Sequence, residues 1–270
     1  FCFLQLEYPM PILAGISIYP IKSLDPHFGT EIRIGPGGQL EHDREFALFD
    51  EEGKWVRGKR HAKVHLLRAK YDLRAMSVSL REEGKQDAQT FHLLKDRAKL
   101  EEYFTRFFGL KVTLERNEKN GFPDDSNAWG PTVISTGTLK EVAAWFPGLK
   151  PDDVWKRFRP NLVIGGTEAF WEDRLYGKQG EGVAFRIGAV RFQGTNPCVR
   201  CVVPTRDPSH AEPIPEFARI FMERRKASLP ACAEGSRFAD TFYRLAVNTR
   251  VEPQEAGKEL MIGDEVKLEM

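Results

Sequence analysis

The sequence predicts an α+β fold composed mainly of β-strands. Short segments in which apolar and polar residues alternate recur along the chain, and this period is typical of strands with one buried face. Glycine corners accompany several of these segments, most clearly at residues 35–38, 187–188 and 262–263. Only three segments show helical character. Many short strands joined by glycine corners favour a closed or nearly closed β barrel with a few helices around it.

The first half of the chain is predicted as strands around one helix. The expected strands are 11–19, 31–34, 46–49, a return strand from Trp55, three within 64–94, and 110–114. Asp96 is a candidate helix cap, because its carboxylate can accept hydrogen bonds from free backbone N–H groups. The helix that follows has one apolar face, made of Leu100, Tyr103, Phe104, Phe107 and Phe108. We predict that this face is core and that Gly109 ends the helix.

A polar stretch rich in Gly, Pro, Asn and Asp, residues 117–131, predicts a domain boundary near residue 119. The predicted domains are therefore 10–118 and 119–270. In the second domain we expect strands at 132–134, 158–164 and 186–192, a helix capped by Thr138 that runs to Phe146, and a helix at about 215–229.

Length and composition indicate a globular protein. The 270 residues are 41% apolar and 29% charged, which is enough to bury a sizeable core. The net charge of +1 argues against a nucleic-acid or membrane-surface binder. No apolar run reaches the length of a membrane span, and the apolar opening at residues 1–4 lacks the flank of a signal peptide. Four unevenly spaced cysteines favour a reducing compartment, so we expect a cytoplasmic protein.

The stretch 196–208 carries the strongest chemical signal. Cys198 and Cys201 flank the permanent cation Arg200 on a loop that prolines stiffen. A nearby cation favours the thiolate form of cysteine, and a thiolate is a good ligand for a soft metal. A Cys-x-x-Cys pair is also compatible with half of a zinc site, a dithiol redox pair or two buried thiols. A four-cysteine zinc site lacks its second pair, and residue types alone leave a functional thiolate and a structural pair both open.

Basic residues recur at strand ends. They form three clusters, namely Lys22 with Ser23, Arg44 with Arg57 and Lys59, and Arg157 with Arg159. Cations that converge on loop ends can hold a phosphate-bearing cofactor, since Arg offers a planar fork and Lys a point charge. The alternative to cofactor binding is that any one of these clusters is simply part of the solvated protein surface. The sequence contains no P-loop, no Gly-x-Gly-x-x-Gly, no Gly-x-Ser-x-Gly and no His-Glu-x-x-His motif.

Four motifs occur in a characteristic order. They are Ile-Tyr-Pro-Ile-Lys-Ser at 18–23, Asp-Arg at 43–44 before an apolar strand, Phe-Arg-Pro-Asn-Leu-Val-Ile at 158–164, and Cys-Val-Arg-Cys at 198–201 followed by Thr-Arg-Asp-Pro. Together they resemble MOSC-domain proteins with an N-terminal MOSC β-barrel-like region, the group of the mitochondrial amidoxime-reducing component and its bacterial relatives. The similarity covers nearly the whole chain. It implies a MOSC-type β barrel with peripheral helices for 119–270 and a β-rich α/β region for 10–118.

The resemblance also implies a molybdenum cofactor, a pterin dithiolene (molybdopterin) that carries a phosphate. By the motif match Cys201 ligates molybdenum, and catalytic roles fall on Cys201, Arg200 and Asp207. Cofactor contacts fall on Lys22, Ser23, Arg44, Lys59, Arg159, Asn161 and Thr205. Cys198 is implied to be a neighbour of the site, Arg200 to lie beside the metal, and Thr205 and Asp207 to shape the cysteine loop.

The chain departs from these relatives in three places. Ser209-His210-Ala211 follows the Asp-Pro pair, Ala128-Trp129-Gly130 stands where the amidoxime reducers carry a Thr-Ser pair, and Arg57-Gly58-Lys59 replaces Thr-x-Arg. The cofactor class therefore has more support than the substrate. No lysine motif for pyridoxal phosphate is visible, so binding of that cofactor is a property of the wider family only.

Three functional hypotheses remain. The first is a molybdenum-dependent oxidoreductase that reduces N-hydroxylated or N-oxide substrates. It needs an external electron donor of the ferredoxin, flavodoxin or cytochrome type, because four cysteines are too few for an added iron–sulfur domain. The second is a sulfur carrier or cofactor-handling protein with a persulfide on Cys201. The third is a β-rich protein whose cysteines are only packed. We expect a monomer that acts on a small molecule.

Overall fold

A computed structural model describes residues 10–125 and 127–269, so the opening residues 1–4 lie outside the described part. The strands are β1 (Ile12–Ile18), β2 (His27–Gly29), β3 (Glu31–Arg33), β4 (Phe46–Asp50), β5 (Leu67–Asp72), β6 (Ser77–Glu82), β7 (Gln89–His92), β8 (Val112–Arg116), β9 (Val133–Ser135), β10 (Leu162–Gly165), β11 (Val183–Ile187), β12 (Val190–Val199), β13 (Arg244–Arg250), β14 (Glu259–Met261) and β15 (Val266–Leu268). The helices are α1 (Arg97–Phe108), α2 (Thr136–Ala144), α3 (Pro151–Phe158) and α4 (Phe217–Ala227). The predicted α+β class, mainly β, is confirmed.

One eight-stranded sheet forms the centre of the molecule, in the order β15-β11-β12-β13-β9-β10-β1-β2. Only β9 and β10 run parallel, and its other pairs are antiparallel. The sheet curls until the end strand β15 comes beside β1, the strand next to the opposite end. The backbone N–H of Leu13 in β1 donates to the carbonyl of Asp264, and Val266 N–H donates to Pro11. The sheet is therefore almost closed, and it surrounds an apolar core that includes Leu13, Phe185 and Phe192.

Strands from both ends of the chain pair with each other. β1 and β2 belong to the central sheet, and β3 pairs with β14 through Ile32 and Leu260. The division of the chain near residue 119 stays a prediction, because strands on either side of it share a sheet. The segment between β3 and β9 adds the β4–β8 pair, the β5–β6–β7 sheet and α1 around a core of its own.

The aromatic face of α1 is buried as predicted, with Leu100 and Phe104 fully enclosed. Gly109 ends the helix in a left-handed conformation, with φ of 71°. The predicted cap at Asp96 is wrong in detail. Its carboxylate does not bond to the first turn of helix N–H groups, but accepts from Lys99 Nζ at 2.8 Å and from the N–H of His92 at 3.0 Å.

Helices α2, α3 and α4 pack on the outer face of the sheet around Val163, Phe217 and Phe221. Ser135, not Thr138, caps α2, because its hydroxyl accepts from the Thr138 N–H at 3.0 Å. Sequence patterns did not predict α3, which has only eight residues, although it begins at a proline. The predicted return strand at Trp55 is a single bridge to Phe49.

Among the described residues, no helix combines the length and apolar character needed to cross a bilayer.

Candidate functional site

A cavity of about 810 Å³ opens where the N-terminal region meets the central sheet. Its wall is built from three stretches of the chain and one further residue, namely residues 22–69, the segment 120–132, the stretch 156–209 that runs from α3 to the loop after β12, and Asn248 of β13. This volume falls within the usual range for small-molecule and cofactor sites. The cavity therefore combines motifs that lie far apart in the sequence.

Cys201 lies on the loop that follows β12, in the wall of this cavity, and it is exposed. The loop is held to β13, because the Arg200 N–H donates to the carbonyl of Tyr243 at 2.9 Å. The Arg200 guanidinium also bonds to the backbone, with Nε 2.9 Å from the Leu245 carbonyl and Nη1 3.1 Å from that of Phe158. Arg200 thus anchors the loop at the cavity wall and leaves the Cys201 thiol open to a ligand.

Cys198 lines the same cavity in a different environment. It is buried, and its Sγ donates to Asn248 Oδ1 at 2.5 Å. Asn248 Nδ2 donates in turn to Asp125 Oδ2 at 3.2 Å. Burial raises the pKa of the Cys198 thiol. The two cysteines of the motif are therefore inequivalent, with a hydrogen-bonded neutral thiol at 198 and an open side chain at 201.

Thr205 and Asp207 do not line the cavity, so cofactor contact by Thr205 and catalysis by Asp207 stay predictions. Their hydrogen bonds fit the loop-shaping role that the resemblance also implied. Thr205 Oγ1 donates to the Val202 carbonyl at 2.7 Å, which closes a short turn. Asp207 Oδ1 accepts from the N–H of Ser209 at 2.8 Å. Both side chains face their own loop because they satisfy its backbone groups. They shape the cysteine loop without reaching the cavity.

Arg157, near the end of α3, hydrogen-bonds to the loop that carries Cys201. Its side chain is 2% exposed and donates to the carbonyls of Pro204 at 3.2 Å and Arg206 at 2.5 Å. Its Nη2 also lies 3.2 Å from Asp207 Oδ2. A buried guanidinium that satisfies two loop carbonyls fixes the path of the chain next to Cys201.

We expect Arg157→Lys to loosen this loop, since a single ammonium cannot replace the planar fork. The free energy of unfolding should fall by about 2 kcal/mol, the scale of a lost hydrogen bond to a charged group. Amide hydrogen exchange at residues 203–207 should become faster. Lys156→Ala serves as the control, because Lys156 is the exposed neighbour on the same helix. Unchanged exchange in Arg157→Lys would show that Arg157 does not hold the loop.

Lys22 is an enclosed cation of the wall, and its side chain is 5% exposed. Its Nζ donates to the Phe122 carbonyl at 2.8 Å and to Asp124 Oδ1 at 2.6 Å. It also lies 4.2 Å from the ring centre of Trp55. Burial lowers the pKa of Lys22 to about 8. The ammonium is therefore held in place by three partners at the edge of an open cavity.

Arg44 and Arg159 meet around the ring of Tyr19. Their guanidinium carbons lie 5.4 and 4.0 Å from the ring centre. Arg44 also bonds to Asp43, and Arg159 Nη2 donates to the carbonyl of Leu24 at 2.7 Å. The contact with Tyr19, the Asp43 carboxylate beside Arg44 and the backbone carbonyl beside Arg159 hold both guanidinium groups along the wall. The two motifs that the sequence analysis connected are thus brought together in space.

Three residues assigned to cofactor contact have a left-handed backbone, with φ of 76° at Ser23, 51° at Arg44 and 52° at Arg159. All three line the cavity. This conformation is uncommon outside glycine and costs about 1–3 kcal/mol at each residue. Such strain tends to collect at functional sites, where the surrounding structure imposes it.

Asn161 also reaches the wall, but its amide is already used within the protein. Nδ2 donates to the Ser17 carbonyl at 3.1 Å, while Oδ1 accepts from the N–H of Thr132 at 3.1 Å. The residue is fully buried. Asn161 therefore joins β1 to the segment just before β9. Its main effect on the cavity is to fix the position of the wall beside Arg44.

Lys59 is exposed and lines the cavity as the resemblance implied. Nearby polar atoms are buried without a hydrogen-bond partner, namely Arg57 Nε, His65 Nε2 and Arg157 Nε. Burial, together with the charges of Arg159, Arg206 and Arg68, lowers the pKa of His65 to about 4. Unsatisfied donors on a cavity wall are the mark of a site that accepts a polar ligand.

The cavity is strongly cationic. Among the described residues, ten Lys or Arg residues line it, namely Lys22, Arg44, Arg57, Lys59, Arg68, Lys156, Arg157, Arg159, Arg200 and Arg206. Only four acidic residues face them, namely Asp25, Asp43, Asp124 and Asp125. This excess of positive charge favours an anionic ligand.

Sequence reasoning missed Arg68, Arg206 and Asp124. Arg206 belongs to the cysteine motif, and its guanidinium bonds to the Gly58 carbonyl. Arg68 Nη2 donates to the carbonyl of Pro208 at 3.0 Å. No local signal marks Asp124 or Arg68, because their partners Lys22 and Pro208 lie 102 and 140 positions away in the sequence.

Within the described residues, no group of three or more His, Cys, Asp or Glu side chains is arranged to hold a metal ion. A metal at Cys201 would therefore take its other ligands from a cofactor. The cation-rich wall, the unsatisfied donors and the open thiol fit a cofactor that brings both a phosphate and a metal.

The MOSC domain family matches residues 132–267, and the MOSC N-terminal beta barrel domain matches residues 10–148. The chain belongs to the MOSC family. The resemblance drawn from the four motifs is thereby confirmed. The two matches overlap at residues 132–148, in agreement with strands that pair across the predicted domain boundary.

Curated relatives include molybdenum cofactor sulfurase 2 of Culex quinquefasciatus, 23% identical over 80% of this MOSC chain and 33% of the relative. The molybdenum cofactor sulfurase of Homo sapiens is 22% identical over 70% of the chain and 26% of the relative. The chain thus spans about a third of the length of these relatives or less. The solved YUAD protein of Bacillus subtilis aligns over 96% of this chain and 95% of its own, with 11% identity and a TM-score of 0.39.

Proposed function

We propose that this MOSC protein binds the molybdenum cofactor in the cationic cavity and works as an oxidoreductase on N-hydroxylated or N-oxide substrates. The observation that carries the proposal is the exposed Cys201 thiol in a wall lined by ten cationic residues. The relatives support the link to this cofactor, because both are named as molybdenum cofactor sulfurases.

Each group in the wall has a distinct task in this proposal. Cys201 ligates the metal through its sulfur, and Arg200 anchors the loop that carries this side chain. Lys22, Arg44 and Arg159 bind the phosphate through an ammonium and two planar forks. Cys198 remains a protonated thiol bonded to Asn248 and supports the loop. Thr205 and Asp207 act through the shape of that loop.

When bound, the cofactor supplies a metal that changes oxidation state as the substrate gives up oxygen. Two electrons and two protons then convert an N–OH group into N–H and water. The electrons come from an external protein of the ferredoxin, flavodoxin or cytochrome type. The residues of this chain orient the cofactor and shape the space in front of it for a small substrate.

Metal analysis of freshly purified protein tests this function. We expect molybdenum in the wild type and in Cys198→Ser, and background amounts in Cys201→Ser. The rate of amidoxime reduction with a chemical electron donor should likewise be measurable in the wild type and in Cys198→Ser and at background in Cys201→Ser. Wild-type protein that contains no molybdenum and shows no such activity would contradict the proposal.

Sulfur transfer is the second candidate, and the names of both relatives favour it. In this role Cys201 carries a persulfide and hands sulfur to the cofactor without turning over a substrate. Mass spectrometry separates the two functions, because a carrier gains the mass of one sulfur atom at Cys201 after exposure to a persulfide donor, whose S–S bond breaks as its outer sulfur moves to Cys201 and its thiol is released. An oxidoreductase retains metal and activity without that modification.

A further inference from the structure

An acidic side chain occupies the point where two cations of the cavity wall converge. Asp124 Oδ1 lies 2.6 Å from Lys22 Nζ, and Asp124 Oδ2 lies 3.9 Å from Arg44 Nε. The side chains of Lys22 and Arg44 are only 5% and 17% exposed, whereas that of Asp124 is 65% exposed. The carboxylate therefore approaches two enclosed cations from the open side of the cavity.

The other partners of Lys22 are uncharged. They are the Phe122 carbonyl and the Trp55 ring. Arg44 has a second carboxylate, that of Asp43, which is 7% exposed and cannot leave without opening the core. Of the two acids, only Asp124 can turn away into solvent. Its departure would leave an ammonium and a guanidinium facing the cavity with room for another anion.

The carboxylate is held in its charged form. The surrounding cavity walls limit the hydration of the Asp124 carboxylate, which raises its pKa, but the charges of Lys22 and Arg44 outweigh this effect and bring the pKa to about 2. Asp124 is consequently an anion under all ordinary conditions. It presents one negative charge and two oxygens to the same donors that a phosphate group would use.

We propose that Asp124 is a built-in competitor for the anionic group of the ligand at Lys22 and Arg44. A phosphate carries a charge of about −1.5 to −2 near neutral pH and three strong acceptor oxygens. It can displace a carboxylate, which carries one charge, whereas a small monovalent anion cannot. Asp124 thereby selects phosphate-bearing ligands. This inference rests on the proposed function only for the identity of the natural ligand.

The pair Asp124→Asn and Asp125→Asn tests the proposal, with inorganic phosphate as the probe in isothermal titration. Both substitutions remove one negative charge at adjacent positions. Only Asp124 contacts Lys22, since the Asp125 carboxylate accepts from Asn248. We expect Asp124→Asn to bind phosphate about tenfold more tightly, because one partly exposed charge-assisted contact contributes on this scale.

Asp125→Asn should change phosphate affinity by much less, and Asp124→Glu should restore the affinity of the wild type. Equal gains in phosphate affinity in the two Asn variants would show that the loss of any nearby negative charge has the same effect, and would overturn the inference. Unchanged or weaker binding in Asp124→Asn, or no binding in any variant, would overturn it as well. Molybdenum content is measured on separate wild-type samples, so a failure here leaves the test of the proposed function intact.

Discussion

Substitution of Arg225 by Ala should lower the free energy of unfolding by about 4 kcal/mol, the cost of leaving a buried charge without its partner. Arg225 on α4 is 1% exposed and bonds to Asp173, whose side chain is 4% exposed. Its guanidinium carbon lies 4.2 Å from the ring centre of Phe170 and 5.0 Å from that of Phe238. The substitution removes both the charge pair and the aromatic contacts.

Urea denaturation measures this effect, and two further variants make the result specific. Arg224→Ala, at the exposed neighbouring position, should change stability by less than about 0.5 kcal/mol. The double variant Arg225→Met/Asp173→Leu should lose less than Arg225→Ala, because no unpaired charge stays buried. An Arg225→Ala protein as stable as the Arg224→Ala control would contradict the prediction.

The second large effect depends on pH and involves Glu172. This side chain lies next to α2 and is 1% exposed. Oε2 accepts from Thr138 Oγ1 at 3.0 Å, while Oε1 has no partner. Burial, followed by the negative charge of Asp173, raises the pKa of Glu172 from 4.5 to about 7. The folded protein therefore retains a proton that the unfolded chain loses between these two values.

The direction in which stability changes with pH follows from this difference in pKa between the folded and unfolded states. Between pH 4.5 and 7 the folded state binds more protons at Glu172, so the free energy of unfolding decreases as pH rises and then levels off. The whole change amounts to about 3 kcal/mol. Glu172→Gln removes the ionisation, and we expect it to be more stable than the wild type by about this amount at pH 8.

Chemical denaturation of the two proteins at pH 5 and pH 8 checks this expectation. The advantage of Glu172→Gln should be small at pH 5 and large at pH 8. Glu102→Gln, at an exposed position on α1, should have the same free energy of unfolding as the wild type at both pH values. A constant difference between Glu172→Gln and the wild type across this range would contradict the assignment.

Local patterns were sufficient for much of the fold. Alternation of apolar residues identified strands such as β1 and β3, and the spacing from Leu100 to Phe108 identified α1, since both periods report which side chains are buried. Gly109 and Gly188 mark turns because both adopt positive φ. Helix α3 was missed, since eight residues with mixed polarity resemble the approach to a strand.

The site was predictable only where a motif carried it. Lys22, Arg44, Arg159 and Cys201 line one cavity, as the order of the motifs implied. The direction of a side chain within a loop has no such signal, so Thr205 was assigned to the cavity although it closes its own turn. The positions of Asp124 and Arg68 in the cavity wall depend on segments that approach each other only in the folded protein. Local sequence spacing does not encode that approach.

The left-handed backbone at Ser23, Arg44 and Arg159 has a consequence for how a ligand is received. Unfavourable dihedral angles are imposed when the chain folds, so the cations are already aligned before any anion arrives. Little conformational entropy then remains to be lost during association, and discrimination between ligands rests on shape and charge. The two guanidinium groups are therefore preorganised, and Asp124 is the side chain that has to move when an anion binds.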